Sequence, residues 1–387
     1  MTPATATLAG RAQEVSSEIV TDILTLVGQE TSSYDLAHLA AGRDLLHDLA
    51  VHRLGRPGEE HRHDGGERGD TLTLTYAGTS PGHIALVGHY DTVWPTGTLA
   101  GWAPPKTDEG REKLSGPGIF DMKTGLAQGI WALKLARECG VPVPTVTFVF
   151  NGDEEIGSRS SRPVIEEVAN KVDATLVLEP SERGAVKTAR KGNGTFHVTA
   201  SGVEAHAGLA PQDGASAIIA LSEFVVAAAA VASPDRGTTI NTGLITGGSA
   251  TNVIAALATA DIDIRVSSKA ERERVDAELE AIKVSDPRVH IDIDHGWNRP
   301  PMTLNTASAP LLDLAREVAR EQGHDLPAVA VGGANFVAAL GLPVLCGMGA
   351  VGDGAHAQGE FIYPDTVPTQ TALVAGLLGR LAEPLHC

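Results

Sequence analysis

The sequence predicts an α/β protein built on a mostly parallel sheet, with a smaller α+β unit inserted into it. Strand-like and helix-like hydrophobic periods alternate as far as about residue 188. Between about 190 and 298 the pattern changes to β-α-β-β-α-β, the ferredoxin-like order. After Pro300 the helix–strand alternation resumes. A chain of 387 residues is also too long for one compact core. The expected organisation is one domain made of 1–189 and 299–387, and an inserted domain of 190–298.

Each element has its own local reason. Over 9–29, Val15, Ile19, Ile23, Leu24 and Val27 fall at helical spacing, and a second helix is expected over 36–54. The stretch 57–70 is charged and glycine-rich, which reads as a surface loop. His52, His61 and His63 lie beside no expected strand end and read as solvated histidines rather than a metal cluster. Strands are expected at 72–76, 84–87, 146–150 and 175–178, and helices at 122–138 and 163–170. In the insertion the expected strands are 195–200, 239–245, 259–266 and 289–294, with helices over 215–232 and 269–283. The last region should hold a helix at 309–323, a strand at 344–345 and a helix at 370–381. No internal repeat or low-complexity tract stands out.

Composition narrows the partners. Lys+Arg 30 against Asp+Glu 48 gives a net charge of −18. That balance argues against nucleic acid and anionic membrane surfaces, which need a cationic footprint. Cys139, Cys346 and Cys387 are widely spaced, with no Cys-x-x-Cys, as suits a reducing compartment. Residues 1–7 show no basic segment followed by an apolar stretch, and the small-apolar run 225–232 is too short to cross a bilayer. A cytoplasmic protein with no nucleic-acid or membrane partner is expected.

The chemistry-bearing residues cluster at strand ends. Asn151-Gly152-Asp153-Glu154-Glu155-Ile156-Gly157-Ser158 places two adjacent carboxylates directly after the apolar run 146–150. Neighbouring glutamates repel unless a cation lies beside them, and a metal site with a separate general base supplies one. A solvated acidic turn is the competing reading. His89-Tyr90-Asp91 follows strand 84–87, Glu179 follows 175–178, Asp121 follows Gly116-Pro117-Gly118-Ile119-Phe120, and His356 lies in the glycine-rich loop after 344–345. Open α/β sheets place their chemistry at such ends. Two imidazoles and several carboxylates without a thiolate suit a hydrolytic Zn²⁺, Co²⁺ or Mn²⁺ site. Taken singly, Asp121 would be a helix N-cap and His356 a surface residue.

Together the segments His89-x-Asp91, Gly-x-Phe-Asp121-Met-Lys, Asp153-Glu154-Glu155-x-Gly157-Ser158, Leu178-Glu179-Pro180 and the late His356 resemble a co-catalytic metallopeptidase family. It includes glutamate carboxypeptidase, acetylornithine deacetylase and succinyl-diaminopimelate desuccinylase. Gly88-His89-Tyr90-Asp91-Thr92-Val93-Trp94-Pro95 is most similar to the glutamate carboxypeptidase branch. The resemblance implies a zinc-peptidase-like catalytic domain and an inserted ferredoxin-like dimerisation domain, hence a homodimer. It implies two divalent metal ions, Zn²⁺ first with Co²⁺ or Mn²⁺ as alternatives. Asp121 would bridge them, His89 and Glu179 would complete one, and Glu155 and His356 the other. Asp91 would fix the tautomer of His89, and Glu154 would be the general base.

In the insertion, Ala205-His206-Ala207-Gly208 resembles the family's Ser-His-Ala-Gly, whose histidine supports the carbonyl oxyanion in a neighbouring subunit. Asn252 and Arg265 match positions implied to bind the substrate's terminal carboxylate. An arginine fork suits that task, and the bland reading of Arg265 is an ion pair with Asp261 or Asp263. One departure is Val331-Gly332-Gly333-Ala334-Asn335-Phe336, where related sequences carry an aspartate. The implied activity is hydrolysis of an amide or peptide bond next to a carboxylate-bearing amino acid. The substrate would be a small peptide or an N-acyl amino acid, with an N-acyl-amino-acid deacylase as the alternative. A phosphate-binding loop at Gly116-x-Gly118 and Lys123-Thr124 is set aside because Met122 stands where glycine is needed. A silent scaffold should have lost ligands, and this chain keeps them all.

Overall fold

The computed structural model of the chain describes residues 3–103, 110–189, 191–301, 304–329 and 335–383. It separates into two compact units, Met1–Ala189 with Leu304–Cys387, and Arg190–Thr303.

The first unit opens with helices α1 (Pro3–Glu14) and α2 (Ser16–Gly28) where a single helix was expected over 9–29. Val15 leaves helical geometry between them, and α2 restarts on its carbonyl, bonded by the Glu18 and Ile19 amides. A β-branched residue followed by Ser16-Ser17 favours such a break, because serines compete for backbone bonds. Helix α3 (Leu36–Leu54) starts on the Asp35 cap, which accepts from the His38 amide, and stops at Gly55 with φ +81°.

The stretch 57–70 is not all loop. Its first half is β1 (Glu59–His63), an edge strand paired only with β2 (Thr71–Tyr76) among the described residues. Glu-Glu-His-Arg-His has no apolar alternation, so the usual strand signal is missing, and charge is what protects an exposed edge. His61 and His63 therefore lie on a strand rather than in a solvated loop. His61 is exposed, and His63 is half-buried with Nε2 3.3 Å from Thr73 Oγ1.

Next come β3 (His83–His89), β4 (Leu114–Ser115), α4 (Thr124–Glu138), β5 (Thr145–Asn151), α5 (Arg162–Ala169), β6 (Ala174–Val177) and β7 (Val186–Lys187). Helix α4 begins two residues later than expected, because Asp121 and Met122 have non-helical dihedrals.

The second unit runs β8 (Gly192–Ser201), β9 (Ala205–His206), α6 (Ala217–Val231), β10 (Thr239–Gly247), β11 (Val253–Ile254), β12 (Leu257–Val266), α7 (Lys269–Glu280), β13 (His290–Asp294) and β14 (Trp297–Arg299). Its main sheet has the antiparallel order β10-β12-β8-β13, with β14 added to β8. The order of its elements is ferredoxin-like. Alternation divides β12 cleanly: Ile262, Ile264 and Val266 join Phe196, Leu221, Phe224 and Val275 in a core, while Asp261, Asp263 and Arg265 face outward.

The chain then returns to the first unit as α8 (Ala309–Glu321), β15 (Ala328–Val329), α9 (Asn335–Ala339), β16 (Val344–Cys346), β17 (Gly352–Asp353), β18 (Phe361–Ile362) and α10 (Val367–Arg380). Positions 331–334 of the departing glycine-rich stretch, and Cys387, lie outside the described residues; Cys346 is buried and Cys139 half-buried.

The large sheet has the order β1-β2-β5-β3-β6-β16-β7-β15. Its centre is parallel, β5 with β3, β3 with β6, and β6 with β16, while β1 and β2 run antiparallel at one side. Strand β5 is buried along nearly its whole length, and Phe148, Phe150 and Trp131 of α4 fill the core over it. Parallel strands covered on both faces read as continuous apolar runs, which is why 146–150 was legible. Register aligns His89 with Asn151, so β3 and β5 end side by side. No helix among the described residues is long and apolar enough to cross a membrane.

Candidate metal centre

His89 is the last residue of β3 and is fully buried. The loop after β5 brings up Glu154 and Glu155, and two buried aspartates shape that loop. Asp153 Oδ2 accepts from the Ser160 amide (2.8 Å), Ser160 Oγ (2.7 Å) and the Ser161 amide (3.4 Å). Asp91 accepts from the amides of Glu154 and Glu155 (both 3.1 Å) and from Ser33 Oγ (2.8 Å). Gly152 has to be a glycine, since a Cβ there would meet Tyr90 Oη at 2.5 Å. Asp121 follows Gly118, which has φ +74°, and precedes a cis peptide bond to Met122. Helix α4 has Lys123 at its N-cap position, so Asp121 is no helix cap. Glu179 lies two residues beyond β6, and His356 lies between β17 and β18 with φ +62°.

These segments converge. His89 Nε2 is 3.1 Å from Asp121 Oδ1 and 3.8 Å from Glu179 Oε1. His356 Nε2 is 3.4 Å from Asp121 Oδ2 and 3.0 Å from Glu155 Oε2. The two oxygens of Asp121 thus face different imidazoles, each with its own second carboxylate. A tetrahedral cation bonded at about 2.0–2.1 Å sets its donors roughly 3.3–3.4 Å apart. The observed separations bracket that value. The ligand atoms of His89, Asp121 and Glu179 all lie within 4.8 Å of one another, as do those of Asp121, Glu155 and His356. Nitrogen and oxygen donors without sulfur suit a hard or borderline divalent ion, so the residues present fit a pair of such ions sharing Asp121.

Electrostatics agrees. Burial pulls the His89 imidazole down, but its bonds to Asp121 and Asp91 hold its pKa well above the ordinary value. His356 is raised to about 10 by its bonds to Asp121 and Glu155. Burial raises Asp121 as well, yet the two imidazoles draw it down overall. Burial lifts Glu155 to about 7 and raises Glu179, with neighbouring carboxylates adding to both. The cluster holds more negative charge than its own imidazoles balance, which is the condition a bound cation relieves. His89 Nδ1 lies 3.0 Å from the Asp91 carbonyl oxygen and 3.5 Å from its carboxylate, so its proton points away from the cluster and Nε2 faces it. Glu154 belongs to neither triplet.

The other sequence candidates lie in the second unit. His206 on β9 is exposed, and its Nδ1 accepts from the amides of Gly208 (3.1 Å) and Leu209 (3.2 Å), leaving Nε2 to carry the proton. Asn252 is its neighbour, with its carbonyl accepting from the Ala207 amide at 2.9 Å. Arg265 stands on the outer face of β12 with Nε 3.1 Å from Asp263 Oδ1.

Peptidase family M20/M25/M40 matches residues 85–380. The chain belongs to this family. It is 30% identical over 375 residues to carboxypeptidase G2 of Pseudomonas sp. (strain RS-16), covering 93% of this chain and 88% of that one. It is 27% identical over 332 residues to succinyl-diaminopimelate desuccinylase of Bradyrhizobium sp. (strain ORS 278), covering 78% and 84%. Among solved structures, aminopeptidase PepT from Bacillus cereus ATCC 10987 superposes with a TM-score of 0.76 at 22% identity, over 95% of this chain and 99% of that one. Membership makes the chain a hydrolase of the metallopeptidase and amidohydrolase class, and the resemblance read from its motifs holds.

Sequence reasoning weighed Lys123 only as part of a phosphate-binding loop and set it aside, without seeing that it is buried. It is 2% exposed, and Nζ donates to the Gln29 carbonyl at 2.7 Å; burial lowers its pKa to about 7. Its one signal is a lysine in an otherwise apolar stretch two residues after Asp121. Titration of the full chain with Co²⁺ is expected to show two equivalents bound. Asp121→Ala should lose both and His356→Ala only one; two equivalents retained by Asp121→Ala would break the shared-ligand geometry.

Proposed function

We propose that the chain hydrolyses an amide or peptide bond next to a carboxylate-bearing amino acid, as a glutamate carboxypeptidase-like exopeptidase. One observation carries this reading: two ligand triplets share Asp121, while Glu154, next to the ligand candidate Glu155 and bonded through its amide to Asp91, joins neither. His89, Asp121 and Glu179 would hold one divalent ion, and Asp121, Glu155 and His356 the other. Zn²⁺ is the proposed metal, with Co²⁺ or Mn²⁺ as substitutes. When bound, the ion pair supplies Lewis-acid polarisation of a carbonyl and lowers the pKa of a water.

The chain's own residues do the rest. Asp91, through the Glu154 and Glu155 amides, sets the direction of both glutamates. Glu154 takes a proton from the attacking water and delivers it to the departing amine nitrogen, so one carboxylate serves both halves of the reaction. In a homodimer, His206 of one protomer would donate from Nε2 to the carbonyl oxyanion in the neighbouring subunit's site. Asn252 and Arg265 would take the substrate's terminal carboxylate. The Arg265–Asp263 pair is solvent-exposed and therefore weak, so exchanging it for a bidentate substrate carboxylate costs little. Similarity to a succinyl-diaminopimelate desuccinylase keeps a second reading in view: an N-acyl-amino-acid deacylase would use the same donors and the same base.

We also propose a homodimer formed through the second unit. Strand β10 is the outer strand of its sheet and is largely exposed, including Leu244 (65%) and Ile245 (55%). Helix α6 adds exposed Ile219 and Val226. An open edge with apolar side chains beside an apolar helix face is what a second copy would cover.

Glu154→Ala is expected to lower turnover by about 10²–10⁴-fold, with metal content unchanged by elemental analysis; parallel loss of metal would move Glu154 into the ligand shell. On a panel of peptidyl and N-acyl amino acids, Arg265→Ala should chiefly raise KM for substrates with a free carboxylate, and an unchanged KM removes it from the pocket. Ile245→Lys should shift the sedimentation coefficient from dimer to monomer, whereas a parent chain already monomeric would exclude this interface.

A further inference from the structure

Glu360 lies four residues beyond His356, at the entry to β18, and is 1% exposed. Its carboxylate is fully engaged by donors from two other segments. Oε1 accepts from the amides of Phe120 (3.0 Å) and Asp121 (3.4 Å), and Oε2 accepts from Trp94 Nε1 (2.9 Å). Its main chain is tied down as well. The Glu360 carbonyl accepts from Ser115 Oγ (2.6 Å), which accepts in turn from Trp102 Nε1 (2.8 Å). The Glu360 amide donates to the Ala357 carbonyl (3.1 Å), and the Ala357 amide to the Gly354 carbonyl (2.9 Å). The turn from Gly354 to Ala357 contains His356, and the turn from Ala357 to Glu360 follows it directly.

A buried carboxylate beside an already acidic cluster is costly unless it does something an uncharged residue could not. Here each of its oxygens accepts from a different segment, which no neutral side chain of that shape can match. One residue therefore holds the backbone of Asp121 and anchors the loop of His356. Both are ligand candidates of the second triplet, reached from distant parts of the chain.

We propose that Glu360 is a positioning residue for the metal centre, setting Asp121 and His356 at ligating distance. The inference rests on the two-ion reading above. It differs from packing in what the isosteric amide does. In Glu360→Gln one end of the side chain becomes an N–H donor, and both ends of the pocket already present donors. Either Trp94 Nε1 or the Phe120 and Asp121 amides then meet a donor at hydrogen-bond distance.

The test uses the full chain and Co²⁺ as the probe. Glu360→Gln is expected to weaken Co²⁺ binding about 10–100-fold, the range for groups that orient metal ligands, and to change the Co²⁺ visible absorption. In a Trp94→Phe background the indole donor is gone, so Glu360→Gln can turn its amide nitrogen there and keep its oxygen on Phe120 and Asp121. The double variant should therefore bind Co²⁺ nearly as Trp94→Phe alone does. That comparison also serves if Glu360→Gln alone fails to fold. Parental Co²⁺ affinity and spectrum in Glu360→Gln, even with lowered thermal stability, would overturn the inference and leave the two-ion reading intact. A double variant no better than Glu360→Gln would overturn it too. A parent chain that takes up no Co²⁺ would remove the two-ion reading and this inference with it.

Discussion

The shared carboxylate of Asp121 is the constraint on which the rest of this centre depends. One oxygen lies near His89 and the other near His356, so a single side chain belongs to both triplets. That economy concentrates charge. Glu155 and Glu179 are both pushed toward protonation by burial and by their carboxylate neighbours, Asp121 among them. No rearrangement of protons among two imidazoles satisfies so many carboxylates, whereas divalent ions do.

The scaffold delivers this arrangement by ending its strands together. Strands β3, β5 and β6 run parallel, and the residues at or just past their ends are His89 to Asp91, Glu154 with Glu155, and Glu179. A parallel sheet supplies several loops at one edge, each able to carry one donor. Asp91 then links two of them, bonding the amides that aim Glu154 and Glu155. The proposed general base, Glu154, and the ligand candidate Glu155 are adjacent in sequence, and one buried carboxylate holds both backbones.

Much of this was legible in sequence, for identifiable reasons. Buried parallel strands such as 146–150 are apolar throughout, and the polar residues that follow them stand out. The ferredoxin-like order of the insertion was readable because β8 and β12 alternate strictly between core and surface. The misses have equally physical causes. Strand β1 is an edge strand made of charged residues, and hydrophobic pattern cannot see it. The break at Val15 and the late start of α4 depend on single dihedrals rather than on periodicity. Glu360 was overlooked, and the burial of Lys123 was missed, because buried charge is not recorded by a one-dimensional pattern. By contrast, His89, Asp121, Glu155, Glu179 and His356 could be singled out because each ends or follows a strand or glycine-rich turn, and the structure places them in two triplets sharing Asp121.

The most direct measurement of the central claim is an anomalous difference map from crystals of the full chain soaked in Co²⁺. The account predicts two peaks per chain, one on each side of the Asp121 carboxylate, with His89 and Glu179 at one and Glu155 and His356 at the other. A single peak with Asp121 turned away, or no peak at this cluster, would contradict it.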